Sequence, residues 1–167
     1  MGLTILTGNI TSETRYPFRT PNPADTVDMI IASLAEIEEQ IDSPEVDSEV
    51  TYIETGGMFF SKNQRPALNI KLRDTKVSYL KKFGCAILPV TFGNLVYLVK
   101  YEYIDDVWSS KEEAILKAKG KLNTLDKWME YTFIQTLGDY VYVELLKQYD
   151  PDFTANLQYY KTFFTVE

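Results

Sequence analysis

The spacing of apolar and polar positions divides the chain into a sheet-forming middle flanked by helices. Val27, Ile30, Ile31, Leu34, Ile37 and Ile41 recur at intervals of three and four, which predicts a helix over 23–41 with one apolar stripe. Its start has a mechanism. Asn22 can cap, Pro23 suits the first helical position, and the acid Asp25 favours the positive end of the helix dipole. Ser43-Pro44 ends it.

Beyond residue 48 the period changes to two. "EVTYIET" reads as a strand closed by Gly56-Gly57, and "ALNIKLR" as a second, with Leu68, Ile70 and Leu72 on one face and Asn69, Lys71 and Arg73 on the other. Asp74 or Thr75 can cap a short helix that runs to Phe83 and is ended by Gly84. "CAILPVTF", the pair Gly93-Asn94 and "LVYLVKYEYID" form the clearest hairpin in the chain. Pro89 cannot donate a ladder hydrogen bond, so the first of these strands is expected to be an edge there or to carry a bulge. In the second, Tyr97, Val99, Tyr101 and Tyr103 share one face, and Val96, Leu98, Lys100, Glu102 and Ile104 share the other. Both faces are therefore expected to be at least partly covered.

From Trp108 the pattern is helical. Ser109 with Glu112, or Ser110 with Glu113, is a capping box for a helix over 111–122, and Thr124 opens another that carries Leu125, Trp128, Met129 and Phe133. "GDYVYVELLKQYD" fits both periods and is read as helix; Asp150-Pro151-Asp152 starts a last segment that ends in the strand-like "KTFFTV". The expected fold is α+β. A mainly antiparallel sheet over about residues 49–104 is packed by the N-terminal helix and by C-terminal helices, all within one domain over 23–167. Residues 1–22 are expected to be an extended arm. "GLTILTGNITSET" could add a strand to a sheet edge, and "RYPFRTPNP" is stiffened by three prolines.

Composition narrows the function classes. The chain of 167 residues contains no histidine, which removes the commonest general base and metal ligand and weighs against an enzyme. Cys85 is the one cysteine, so no intrachain disulfide can form, and its apolar surroundings in "FGCAILPV" mark it as core. Lys119-Gly120-Lys121 lacks the pattern of a phosphate-binding loop, and no cofactor motif is present. Asp105-Asp106 offers hard oxygen ligands for a divalent cation, yet aspartates also end strands in turns, and no metal site is assigned to them. The N-terminus lacks the basic start of a secretory signal, and no apolar run has the length of a membrane span, so synthesis in the cytoplasm is expected.

The net charge of -7 is sharply segregated. Residues 1–61 hold 11 acids and 2 bases, residues 62–100 hold 1 acid and 8 bases, and residues 101–167 hold 12 acids and 7 bases. Either the acidic and basic blocks meet within the fold or they face something else. The acidic total opposes nucleic acid as the partner.

These features together predict a non-enzymatic assembly subunit whose partners are other copies of itself or other structural proteins. A virion component such as a bacteriophage head-to-tail or tail-junction protein is the specific expectation. The residues expected to bind partners are Arg15, Tyr16, Phe18 and Arg19 in the arm, the bases Lys62, Arg65, Lys71, Arg73, Lys76, Lys81 and Lys82, and the acids Glu36, Glu38 and Glu39. Two alternatives are an acidic inhibitor that covers a basic site on a toxin or nuclease, as immunity and anti-defence proteins do, and a carboxylate-dependent metalloenzyme centred on Asp105 and Asp106.

Overall fold

A computed structural model of the chain describes residues 10–54, 64–75, 78–104 and 124–153. Five strands, β1 (Ile10–Arg19), β2 (Val46–Glu54), β3 (Gln64–Leu72), β4 (Phe83–Phe92) and β5 (Leu95–Ile104), form one sheet in the order β1-β5-β4-β3-β2. Every neighbouring pair is antiparallel. Helix α1 (Pro23–Ile41) links the two edge strands, and α2 (Leu125–Tyr149) packs beside it on the same face. The fold is α+β.

Helix α1 begins as its sequence predicts. Asn22 Oδ1 accepts from the Asp25 backbone N–H at 3.3 Å, and Pro23 occupies the first turn. Ile30 and Leu34 are fully buried, with Val27, Ile37 and Ile41 packed beside them. Together with Leu68, Ile70, Ile87, Val96 and Leu98 from the sheet and Ile134, Val141, Tyr142, Leu145 and Leu146 from α2, they make the main core. A second buried cluster, which includes Ile53, Ala67, Leu88, Val99 and Tyr103, lies on the opposite face of the sheet.

Residues 10–19 do not stand apart from the domain. They form β1, paired with β5 from Ile10 opposite Tyr103 to Arg19 opposite Leu95. Over this stretch the expected arm is paired into the edge of the sheet, and the reason is alternation. Tyr16 and Phe18 point to the helices, while Glu13, Arg15, Pro17 and Arg19 are exposed. An edge strand tolerates Pro17 because one of its sides has no neighbour among the described strands. Residues 1–9 lie outside the described part.

The hairpin β4–β5 closes at Gly93, whose φ of 62° is positive while no other described residue has a positive φ, the pattern of a type II′ turn. Pro89 sits where the β3–β4 ladder has already stopped, since that pairing runs only from Leu68 opposite Ile87 to Lys71 opposite Gly84. Pro89 is therefore at a local edge inside a central strand. The short helix before β4 is a 3-10 helix, Ser78–Lys82. "GDYVYVELLKQYD" is helical up to Tyr149 with Asp150 as the C-cap of α2, which Thr124 caps at its start by accepting from Lys127 N–H at 3.4 Å. The helix read over 111–122, Asp105-Asp106 and "KTFFTV" lie outside the described residues. No described helix is long and apolar enough to cross a membrane.

Candidate functional site

The residues expected to bind partners have different fates. Tyr16 and Phe18 are only 6% and 5% exposed and stack at 6.5 Å within the chain's own core. They anchor β1 to its own domain. Arg15 and Arg19 remain exposed on the other side of β1, and Arg15 Nε lies 2.5 Å from Glu13 Oε1.

The acidic and basic blocks meet within the chain where β2 pairs with β3. Asp47 is directly opposite Lys71, and Arg73 Nη2 lies 2.8 Å from Asp42 Oδ1 and 3.8 Å from Asp47 Oδ1. Lys71 Nζ also sits 5.8 Å above the Tyr103 ring. Arg65 is half-buried opposite Ile53, and Lys81 and Lys82 are exposed on the 3-10 helix. Lys62 and Lys76 lie outside the described residues. Glu36 and Glu39 are exposed, as a solvated helix face requires. Glu38 has a structural task, because its Oε2 accepts from the Val50 N–H at 3.1 Å on the edge of β2 that no other described strand pairs with. Ser48 Oγ donates to the Glu38 carbonyl at 3.2 Å beside it.

A buried polar cluster forms where α2 crosses β4 and β5. Lys100 and Glu102 alternate inward on β5, and the Lys100 ammonium is bonded to Asp139 on α2 and lies 3.8 Å from Glu102 Oε2. Burial pulls the Lys100 pKa down, but the bond to Asp139 and the charges of Glu102 and Asp139 outweigh it, so the net direction is up. Glu102 Oε1 is buried without a hydrogen-bond partner among the described residues. Burial also pushes the Cys85 thiol up to about 12, which keeps it protonated and unreactive at neutral pH. Gly138 lets α2 come this close, since a Cβ there would lie 2.7 Å from Cys85 Sγ. Tyr142 OH closes the contact by donating to the Leu98 carbonyl at 2.6 Å. The cluster locks the helix to the sheet. Its signal was in the sequence as two charges at inward positions of an apolar strand, but their partner on α2 was not.

Helix α2 is apolar on two sides. Ile134, Gly138, Val141, Tyr142, Leu145 and Leu146 face the core, whereas Leu125, Trp128, Met129, Phe133 and Tyr140 are exposed. The stripe carried from Thr124 in the sequence reading is thus the outward one. Its first turns border a groove of about 500 Å³ at the end of the sheet where β2 begins and β3 stops. Leu72, Met129 and Phe133 supply its apolar surface, and Glu45, Asp74, Asp126 and Glu130 supply carboxylates, with no base in its described lining. Glu130 Oε2 accepts from Thr75 Oγ1 at 2.6 Å, which fixes one side of the groove.

Among the described residues no group of three or more acidic or cysteine side chains is arranged to hold a metal ion. The exposed apolar face of α2 and the groove at its foot form the candidate site, and their chemistry suits docking. No protein-family model matches the chain, and no curated protein matches it.

Proposed function

We propose that this protein is a non-enzymatic structural subunit of a larger assembly, whose partners are further copies of itself or other structural proteins. The observation that carries this reading is the outward stripe of α2. A helix whose apolar residues occupy both sides needs a second surface to cover it. Leu125, Trp128, Met129 and Phe133 lie within three turns of one another, and Trp128 with Phe133 supplies the large aromatic area typical of interface centres.

A virion component such as a bacteriophage head-to-tail or tail-junction protein is the specific form of the proposal, and it rests on the sequence reading. The acidic inhibitor receives less support, because Asp42, Asp47 and Glu38 of the acidic block are already engaged within the chain. Recovery of the protein at fixed stoichiometry in particles purified intact tests the proposal, together with protection of the α2 stripe from surface labelling in those particles. A chain that leaves the particles on washing, with Trp128 equally labelled before and after, would overturn it.

A further inference from the structure

The two ends of the sheet carry complementary surfaces. Strand register puts Arg19, Leu95 and Phe92 in one row across β1, β5 and β4, at the hairpin end. Phe92 is 75% exposed there, the largest value among the exposed large apolar side chains described. It meets Tyr97 edge-on at 6.4 Å, which fixes the direction in which it projects. Arg19 is exposed in the same row, about 10 Å away across two strand spacings. The groove lies at the opposite end, where the buried Leu72 forms its floor and Met129 and Phe133 are exposed beside Glu45, Asp74, Asp126 and Glu130. With β5 running between them, the two surfaces are roughly 30 Å apart and cannot meet within one chain.

We infer that the β4–β5 hairpin tip of one copy docks into the carboxylate-bearing groove of the next, with Phe92 against Met129 and Phe133 and Arg19 among the acids. The occupant is a second copy because the tip offers both things the groove asks for, an aromatic knob and an adjacent cation. The contact is heterologous, so it repeats head to tail and builds a ring or a filament. This inference rests on the assembly reading above and names the partner for its groove.

Sedimentation of the full chain over a range of concentrations tests it, using two variants with exposed substitutions. Phe92→Ser removes the knob and Phe133→Ser damages the groove. Each variant by itself is expected to weaken self-association by at least about tenfold. Mixed in equal amounts they retain one good tip and one good groove between them, so they should form a dimer that grows no further. Arg19→Glu should also weaken association, and pairing it with a copy carrying Asp126→Lys should restore it. If the wild-type chain oligomerises and neither variant changes it, or if the mixture forms no dimer, the contact is wrong while the assembly reading stands. A wild-type chain that is monomeric at every concentration but present in particles also overturns the contact and leaves the assembly reading intact.

Discussion

The ammonium of Lys100 on β5 is bonded to the carboxylate of Asp139 on α2, and this pair joins the helix layer to the sheet. Lys100 is only 4% exposed, while Asp139 at 38% reaches water. Lys100→Met leaves Glu102 buried without its cation and should cost about 3–5 kcal/mol. The double variant Lys100→Met/Glu102→Leu removes both buried charges and should recover much of that loss. Urea midpoints of the two chains make the comparison. Equal midpoints would show that the cost lies in lost packing and not in the uncompensated charge.

Alkaline pH should weaken the fold through Cys85. Its thiol is raised from 9.0 to about 12 by burial, so above pH 9 the unfolded chain releases a proton that the native chain retains. The stability it contributes is complete below pH 9 and is lost as pH rises towards 12, by about 1 kcal/mol per unit. Lys100 acts in the same sense above 10.5, its ordinary value. Denaturant midpoints at pH 8, 9 and 10 should therefore fall between pH 9 and 10 in wild type and fall less in Cys85→Ala. The native thiol should also resist a disulfide reagent at pH 8 and react once urea is added.

Gly138→Ala would normally strengthen a helix by about 1 kcal/mol. Here the added methyl would meet Cys85 Sγ at 2.7 Å, and the overpacking should dominate, for a net loss of about 1–2 kcal/mol. Cys85→Ala in the same chain makes room and should reverse the sign of the Gly138→Ala effect. A double-mutant cycle of melting free energies that shows simple additivity would sink this account.

Tyr16→Ala and Phe18→Ala should each destabilise the domain by about 3–5 kcal/mol, because both rings are in the core. Arg15→Ala should change stability by less than about 1 kcal/mol, since its pair with Glu13 is exposed to solvent. If all three variants melted together with wild type, β1 would not be part of the folded body.

Glu38→Ala uncovers the Val50 N–H on the outer edge of β2 and should cost about 1–2 kcal/mol. Amide hydrogen exchange at Val50 should accelerate, and the freed edge should make the protein more prone to associate through strand addition. Unchanged exchange at Val50 would mean that Glu38 is not its cover.

The hairpin and α1 were legible in the sequence because local chemistry determines them. Gly93 sets the turn, and Asn22-Pro23 starts the helix whatever lies around it. Strand β1 was legible only in its first half, as an arm that could add to a sheet edge, because Pro17 and Pro21 mask the alternation that follows and its partner is distant in sequence. On α2, Leu125, Met129 and Phe133 keep as good a helical spacing as Val141 and Leu145 do, so periodicity could not rank the two sides. Packing against Cys85 and Lys100 decided between them. The segregated charge was visible as blocks, yet only the β2–β3 register shows Asp47 opposite Lys71.

Strand β1 pairs with β5, although α1 and the strands β2, β3 and β4 separate them along the chain. During synthesis the first strand leaves the ribosome long before its neighbour exists, with Tyr16 and Phe18 waiting for Leu98 and Val96. The four-stranded meander can close first through short connections, and the early segment must then find its place as the final plank. Maturation of this protein is thereby tied to completion of residue 104, and a nascent chain halted before that point carries an unsheltered aromatic strand.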